Sequence, residues 1–176
     1  MPDLQSTILD DRQAVDAFID SARAVPGSAW ARPRAPGKWS PAQVTEHVAI
    51  VYEGAKAIVD GTFTGPSAPR IVRPLIRLIA VKPILRTGRF KTGLKAPRVF
   101  QPAATSTIAT VDDLAARLRA SAGAFEAAVE SAARQGRSFV DHPMFGRVDL
   151  ADYTRLQAIH TRHHAPQLGV ERRATA

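Results

Sequence analysis

The chain has 176 residues, no cysteine and a formal charge of +8. That length predicts one domain, 1–176, with room for a real core, and the missing cysteine excludes disulfides, thiolate nucleophiles and cysteine metal sites. Met1-Pro-Asp-Leu-Gln-Ser-Thr lacks the basic and apolar regions of a signal peptide, and no apolar run is long enough to span a membrane, so a cytoplasmic protein is expected.

The first predicted helix runs from about Thr7 to Val25. Val15, Phe18, Ile19, Ala22 and Val25 form its apolar stripe, with Asp11, Arg12, Asp16, Asp20 and Arg23 mostly off it. Pro26-Gly27 stops it, and a loop follows. Trp39-Ser-Pro-Ala-Gln43 then starts the second helix: Ser40 suits the N-cap, Pro41 the first helical position, and Gln43 completes a capping box. This helix runs to about Asp60, with Gly61 as its stop. Its inner stripe is Val44, His47, Val48, Val51, Ala55 and Ile58, on which His47 is the one strongly polar residue. Glu46 and Glu53 fall on the wet face.

Gly61 to Val111 holds nine basic residues and no acid: Arg70, Arg73, Arg77, Lys82, Arg86, Arg89, Lys91, Lys95 and Arg98. The remaining chain has 15 basic and 16 acidic residues, so the charge belongs to this one segment. Its apolar part, Ile71 to Leu85, predicts a short amphipathic helix starting near Pro74 and limited by Pro83. Arg86 to Thr107 predicts a long loop. The segment could face anionic lipid, bind nucleic acid, or form a lid whose arginines meet an anionic substrate or thiol cofactor. The plainest reading is a solvated flap whose arginines lie over apolar packing.

Thr110 and Asp113 resemble a capping box for a third helix, which keeps Leu114, Leu118, Ala122, Phe125 and Val129 at helical spacing and ends at Gly136. Asp141 to Val148 predicts a compact connector, whose His142 reads either as a residue at the mouth of the site or, preferred, as a turn residue bonding to backbone. Asp149 opens the last helix. There His160 and His164 lie one turn apart on one face, near Tyr153, Leu156 and Gln167, so they look inward and can share one metal ion. His163 is off that face and could flank the site, orient a neighbour or face a helix interface, with a ligand role the least favoured. Gln167 could orient a ligand or cap the final turn. Tyr153 could donate a proton to substrate, but the plainer reading is a partly buried core phenol. Four long amphipathic helices without a convincing strand predict an all-α helical bundle.

Trp39-Ser-Pro-Ala-Gln-Val-Thr-Glu-His47 and His160-Thr-Arg-His-His164-Ala-Pro-Gln167 together resemble the DinB/YfiT-like superfamily, and His142-Pro-Met-Phe-Gly146 resembles one mostly uncharacterised branch of it. The resemblance covers the four main helices, with 61–110 as a basic insertion between helices two and three. It implies an up-up-down-down four-helix bundle and a divalent-metal site at His47, His160 and His164. Three neutral imidazoles suit Zn, Ni or Fe rather than Mg or Ca, and leave an open position that could activate a thiol or water. Some relatives are transferases or isomerases that use low-molecular-weight thiols, so a thiol-dependent transferase or a hydrolase acting on a small molecule is the implied enzyme. The rival is a non-catalytic metal-binding or interaction protein whose basic flap takes an acidic partner. A homodimer stays open, and nucleic acid and anionic membrane are the less favoured partners.

Overall fold

In the computed structural model, which describes residues 3–90, 93, 95–103 and 109–169, the four long helices are present and pack into an all-α bundle. Helix α1 spans Leu4–Arg23. It starts before Thr7 because Asp3 takes the N-cap, its carboxylate accepting from the Ser6 amide. A one-turn helix, α2 (Gly27–Trp30), lies in the predicted loop. Helix α3 is Pro41–Asp60, with the Ser40/Gln43 capping box formed in both directions and Gly61 left-handed at its end (φ 74°). Helix α6, Val111–Arg134, likewise carries the Thr110/Asp113 box.

The basic insertion departs further from expectation. Helix α4 (Arg73–Ile76) runs through a π turn (Arg77–Val81) into α5 (Lys82–Thr87), so Pro83 does not end the helix. The Lys82 amide reaches back to the Arg77 carbonyl, one residue further than an α-helix would. Widening the turn ahead of Pro83 relieves the clash of its ring with the preceding turn, and its missing N–H leaves no donor unpaired there. Within the expected 86–107 loop, Arg98–Phe100 forms a 3₁₀ turn. Lys91, and 92, 94 and 104–107 of that loop, lie outside the described residues, as do Met1 and Pro2.

The 141–148 connector is a β-hairpin rather than strandless: β1 (Phe139–His142) pairs antiparallel with β2 (Gly146–Asp149), Val140 opposite Val148. Strands of four residues are too short for their alternation to stand out in sequence. His142 holds the turn, its Nδ1 accepting from the Met144 and Phe145 amides. Helix α7 is Leu150–His164, and a 3₁₀ turn, Ala165–Leu168, replaces its predicted α-helical extension around Pro166.

Cross-helix contacts set the directions. Arg12 pairs with Glu126, Arg119 with Asp16 and Arg23 with Asp112, so α1 and α6 are antiparallel. Arg117 bonds Glu46 and Glu53, Ser121 bonds Glu53, and Arg137 bonds the Val59 carbonyl, so α3 and α6 are parallel. The start of α3 meets the end of α7. The bundle therefore runs up-down-down-up, a different order from the up-up-down-down one implied by the resemblance. The insertion explains it: a crossover that long can return the chain to the far end of the bundle, so α6 starts where α3 starts and packs parallel to it, while α1 packs on α7 and α6. The same contacts correct the wet face of α3. Glu46 has a side chain only 12% exposed, and with Glu53 it faces Arg117 of α6.

Candidate metal centre

His47 sits two turns into α3, and its side chain is buried (2% exposed) among the apolar inner residues. His160 and His164 stand on successive turns at the end of α7 and face it. The ring centroid of His47 lies 5.3 Å from that of His160 and 4.7 Å from that of His164. One nitrogen from each of the three lies within 4.8 Å of the others, and the Nε2 atoms of His160 and His164 are 3.1 Å apart. The trio is a little wider than the roughly 3–4 Å that separates nitrogens bound to one ion. The histidine pair itself is close to the spacing of two nitrogens each about 2.0–2.1 Å from a shared metal.

The outer nitrogens are tied off. His47 Nδ1 lies 2.6 Å from the Phe100 carbonyl oxygen, which can only accept, so the ring donates from Nδ1 and its Nε2 carries a lone pair. His164 Nδ1 is 3.1 Å from Oε1 of Gln167, which fixes the same tautomer. Gln167 thus orients a histidine. Lone pairs aimed at one another across a buried gap repel unless a proton or cation lies between them. Burial lowers the proton affinity of all three rings: His164 is pushed down to about 3, His160 well below its ordinary value with help from the other imidazoles, and His47 down despite the Phe100 carbonyl. The rings are therefore neutral at pH 7, as a metal ligand must be.

Aromatic walls close around the trio. The Trp39 ring is 4.9 Å from His47, and Phe90 of the insertion is 5.4 Å from His160. His163 is not a member: it stacks outside, 5.6 Å from Phe90 and 5.1 Å from His164. Tyr153 is core, its ring against Phe125 and His142, and burial pushes its phenol far up.

The insertion supplies what the sequence did not reveal. Its returning segment is pinned to α3 by adjacent residues: His47 bonds the Phe100 carbonyl, and Glu46 accepts the Ala103 amide at 3.1 Å. The Phe100 ring packs on Gly54, where an added Cβ would stand 2.4 Å from Cε1, and Phe63 stacks on its other side. Gly54, two turns beyond His47 on an otherwise well-formed helix, was the available signal of a close approach.

A second buried polar group also bridges α3 and α7. The Tyr52 hydroxyl donates to Asp11 Oδ1 at 2.6 Å and lies 3.1 Å from the Thr161 hydroxyl. Burial pushes Asp11 up to about 7, against the lowering effect of the Tyr52 bond.

A family model for the DinB superfamily matches residues 10–168. The chain belongs to the DinB superfamily. No curated protein and no solved structure matches it. A three-histidine group able to hold a metal ion is compatible with a metal-binding member of this superfamily.

Proposed function

We propose that this DinB-superfamily protein binds one divalent transition metal (Zn, Ni or Fe) through His47, His160 and His164, and uses it in an enzyme of the thiol-transferase or hydrolase kind. One observation carries the reading: the Nδ1 sides of His47 and His164 are occupied, and the remaining nitrogens converge. Three neutral imidazoles match these borderline metals and no hard cation. A divalent ion held there would act as a Lewis acid, lowering the pKa of a thiol or water that occupies its remaining position.

The protein's own groups do the rest. The Phe100 carbonyl and Gln167 hold two rings in the ligating tautomer and raise their basicity. Trp39 and Phe90 line the trio with apolar surface, which excludes water and strengthens electrostatic interactions inside. A small-molecule substrate, with a low-molecular-weight thiol as co-substrate, fits this enclosure better than a polymer.

Metal content decides the first half. Purified wild type should carry close to one equivalent of Zn, Ni or Fe by mass spectrometry, and His160→Ala close to none. Equal, negligible content in both would end the metal reading. The second half is read by metal-restored turnover with thiol–electrophile pairs and with ester or amide substrates. A loaded protein inert to both classes would favour the non-catalytic alternative.

A further inference from the structure

We propose that the helix from α4 through α5 is a docking element for an anionic lipid surface. Large apolar side chains stand in water on this segment. Ile71 is 89% exposed, Leu75 58%, Leu78 53% and Ile79 63%, and Val72 is exposed beside them. Only two other large hydrophobics among the described residues, Leu9 and Val99, are comparably exposed. Leu75, Leu78 and Ile79 recur at helical spacing, with Ile71 and Val72 in the turn that leads into them. Lys82 and Arg86 follow at steps of three and four residues, and exposed Arg89 lies just past the helix end at Gly88.

The opposite side of the helix is already spoken for. Val81 is buried, and Ile84 and Leu85 pack against the core. Arg73 donates to the Ala68 carbonyl and pairs with Asp141 of the hairpin, and Arg77 donates to the Arg147 carbonyl. These anchors fix the helix with its apolar stripe outward, so the exposure is not that of a detached segment.

Charge selects the occupant. Gly61 to Val111 contains no acid, and Arg70, Lys82, Arg86 and Arg89 carry no ion pair among the described residues. A second copy docking through this face would bring like charges together, because a two-fold interface repeats the same patch on both sides. Nucleic acid would satisfy the cations but would leave Leu75, Leu78 and Ile79 in water. A bilayer with anionic headgroups satisfies both: the apolar stripe enters the headgroup–acyl boundary, and the cations meet phosphate at that level. No helix among the described residues is long and apolar enough to cross a membrane, so the contact is with the surface. The inference stands whether or not the histidines hold metal.

The test is co-sedimentation of the full chain with vesicles of phosphatidylcholine alone or with 30 mol % phosphatidylglycerol (roughly the anionic content that gives such helices a charged target). Partitioning should be at least tenfold stronger on the anionic vesicles. A Leu75→Ser, Leu78→Ser, Ile79→Ser triple variant should lose at least tenfold of it. Lys82→Gln with Arg86→Gln should fall toward the neutral-vesicle level. All five positions are exposed or lie on the outward stripe, and unchanged thermal melts would confirm intact folding. Wild type left in the supernatant with both vesicles overturns the proposal. So does a serine variant that binds as wild type does, which would reduce the contact to charge alone. A sedimenting dimer abolished by the serine variant, without vesicle binding, would assign the face to a second copy instead.

Discussion

Two buried polar clusters bridge α3 and α7, and they differ in where their hydrogen-bonding capacity points. Asp11, Tyr52 and Thr161 satisfy one another, hydroxyl to carboxylate and hydroxyl to hydroxyl. In the histidine trio, His47 and His164 each spend one nitrogen outward, on a carbonyl and an amide, and their other nitrogens meet His160 Nε2 near a common point. Burial of polar side chains is thus not what marks a candidate site in this bundle. The first cluster is closed and the second is open, and only the open one has lone pairs to offer a ligand.

The largest effect expected from this contrast is on metal affinity. His47→Ala should weaken zinc binding at least a thousandfold, about 4 kcal/mol, in competition with a chromogenic chelator. Asp11→Asn should stay within about twofold of wild type, roughly 0.4 kcal/mol. Comparable losses in both variants would erase the distinction.

The closed cluster should instead govern stability against pH. Asp11 has its folded pKa raised from 3.8 to about 7, so the folded chain holds this proton while the unfolded chain has released it. The group's contribution is fully present below pH 3.8 and is lost progressively as pH rises from there through 7, on the order of 4 kcal/mol. His142 acts in the other direction. Burial and then Arg73 push it from 6.5 down to about 4, so its contribution is present above 6.5 and is lost as pH falls through 4. Urea titrations of metal-free protein from pH 4 to 8 should show Asp11→Asn losing the high-pH decline that wild type has. Parallel curves would mean that Asp11 ionises normally.

Next in size is Tyr52→Phe. It removes the donor from a buried carboxyl and should cost about 2–3 kcal/mol in chemical denaturation, with zinc affinity retained. The smallest effect sharpens the comparison from the open side. Gly54→Ala puts a Cβ into the Phe100 ring and should shift the carbonyl that holds His47. Zinc affinity should fall about tenfold, as for other groups that orient a ligand, with little change in melting temperature, because the added methyl also favours the helix. A drop in stability with unchanged affinity would make the Phe100 contact merely structural.

Local signals were the ones most legible in the sequence. Capping boxes at Ser40/Gln43 and Thr110/Asp113 involve neighbours in the chain, and both formed as read. The histidine trio was legible because side-chain type and helical phase carry it. The Phe100 carbonyl was not, since a backbone oxygen 53 residues from its partner has no sequence signature. Asp11 was readable but passed over: it stands four residues before Val15 and seven before Phe18, on the stripe itself. Pro83 misled because a proline rule written for α-helices does not anticipate a π turn that makes room for it. Helix direction was also beyond reach, because it depends on where a long crossover delivers the chain.

The crossover divides the chain into two halves of different reach. The principal helix pairs, α1 with α7 and α3 with α6, both join elements from different halves. Joining the halves means closing the 61–110 span, which adds loop-closure entropy and sets a late, non-local step in folding. His47 belongs to one half, and His160 and His164 to the other. Each half is therefore born with an incomplete set of imidazoles, and the pocket comes into being only when the halves dock. Protein nicked within the crossover would keep it for as long as the two pieces stay together.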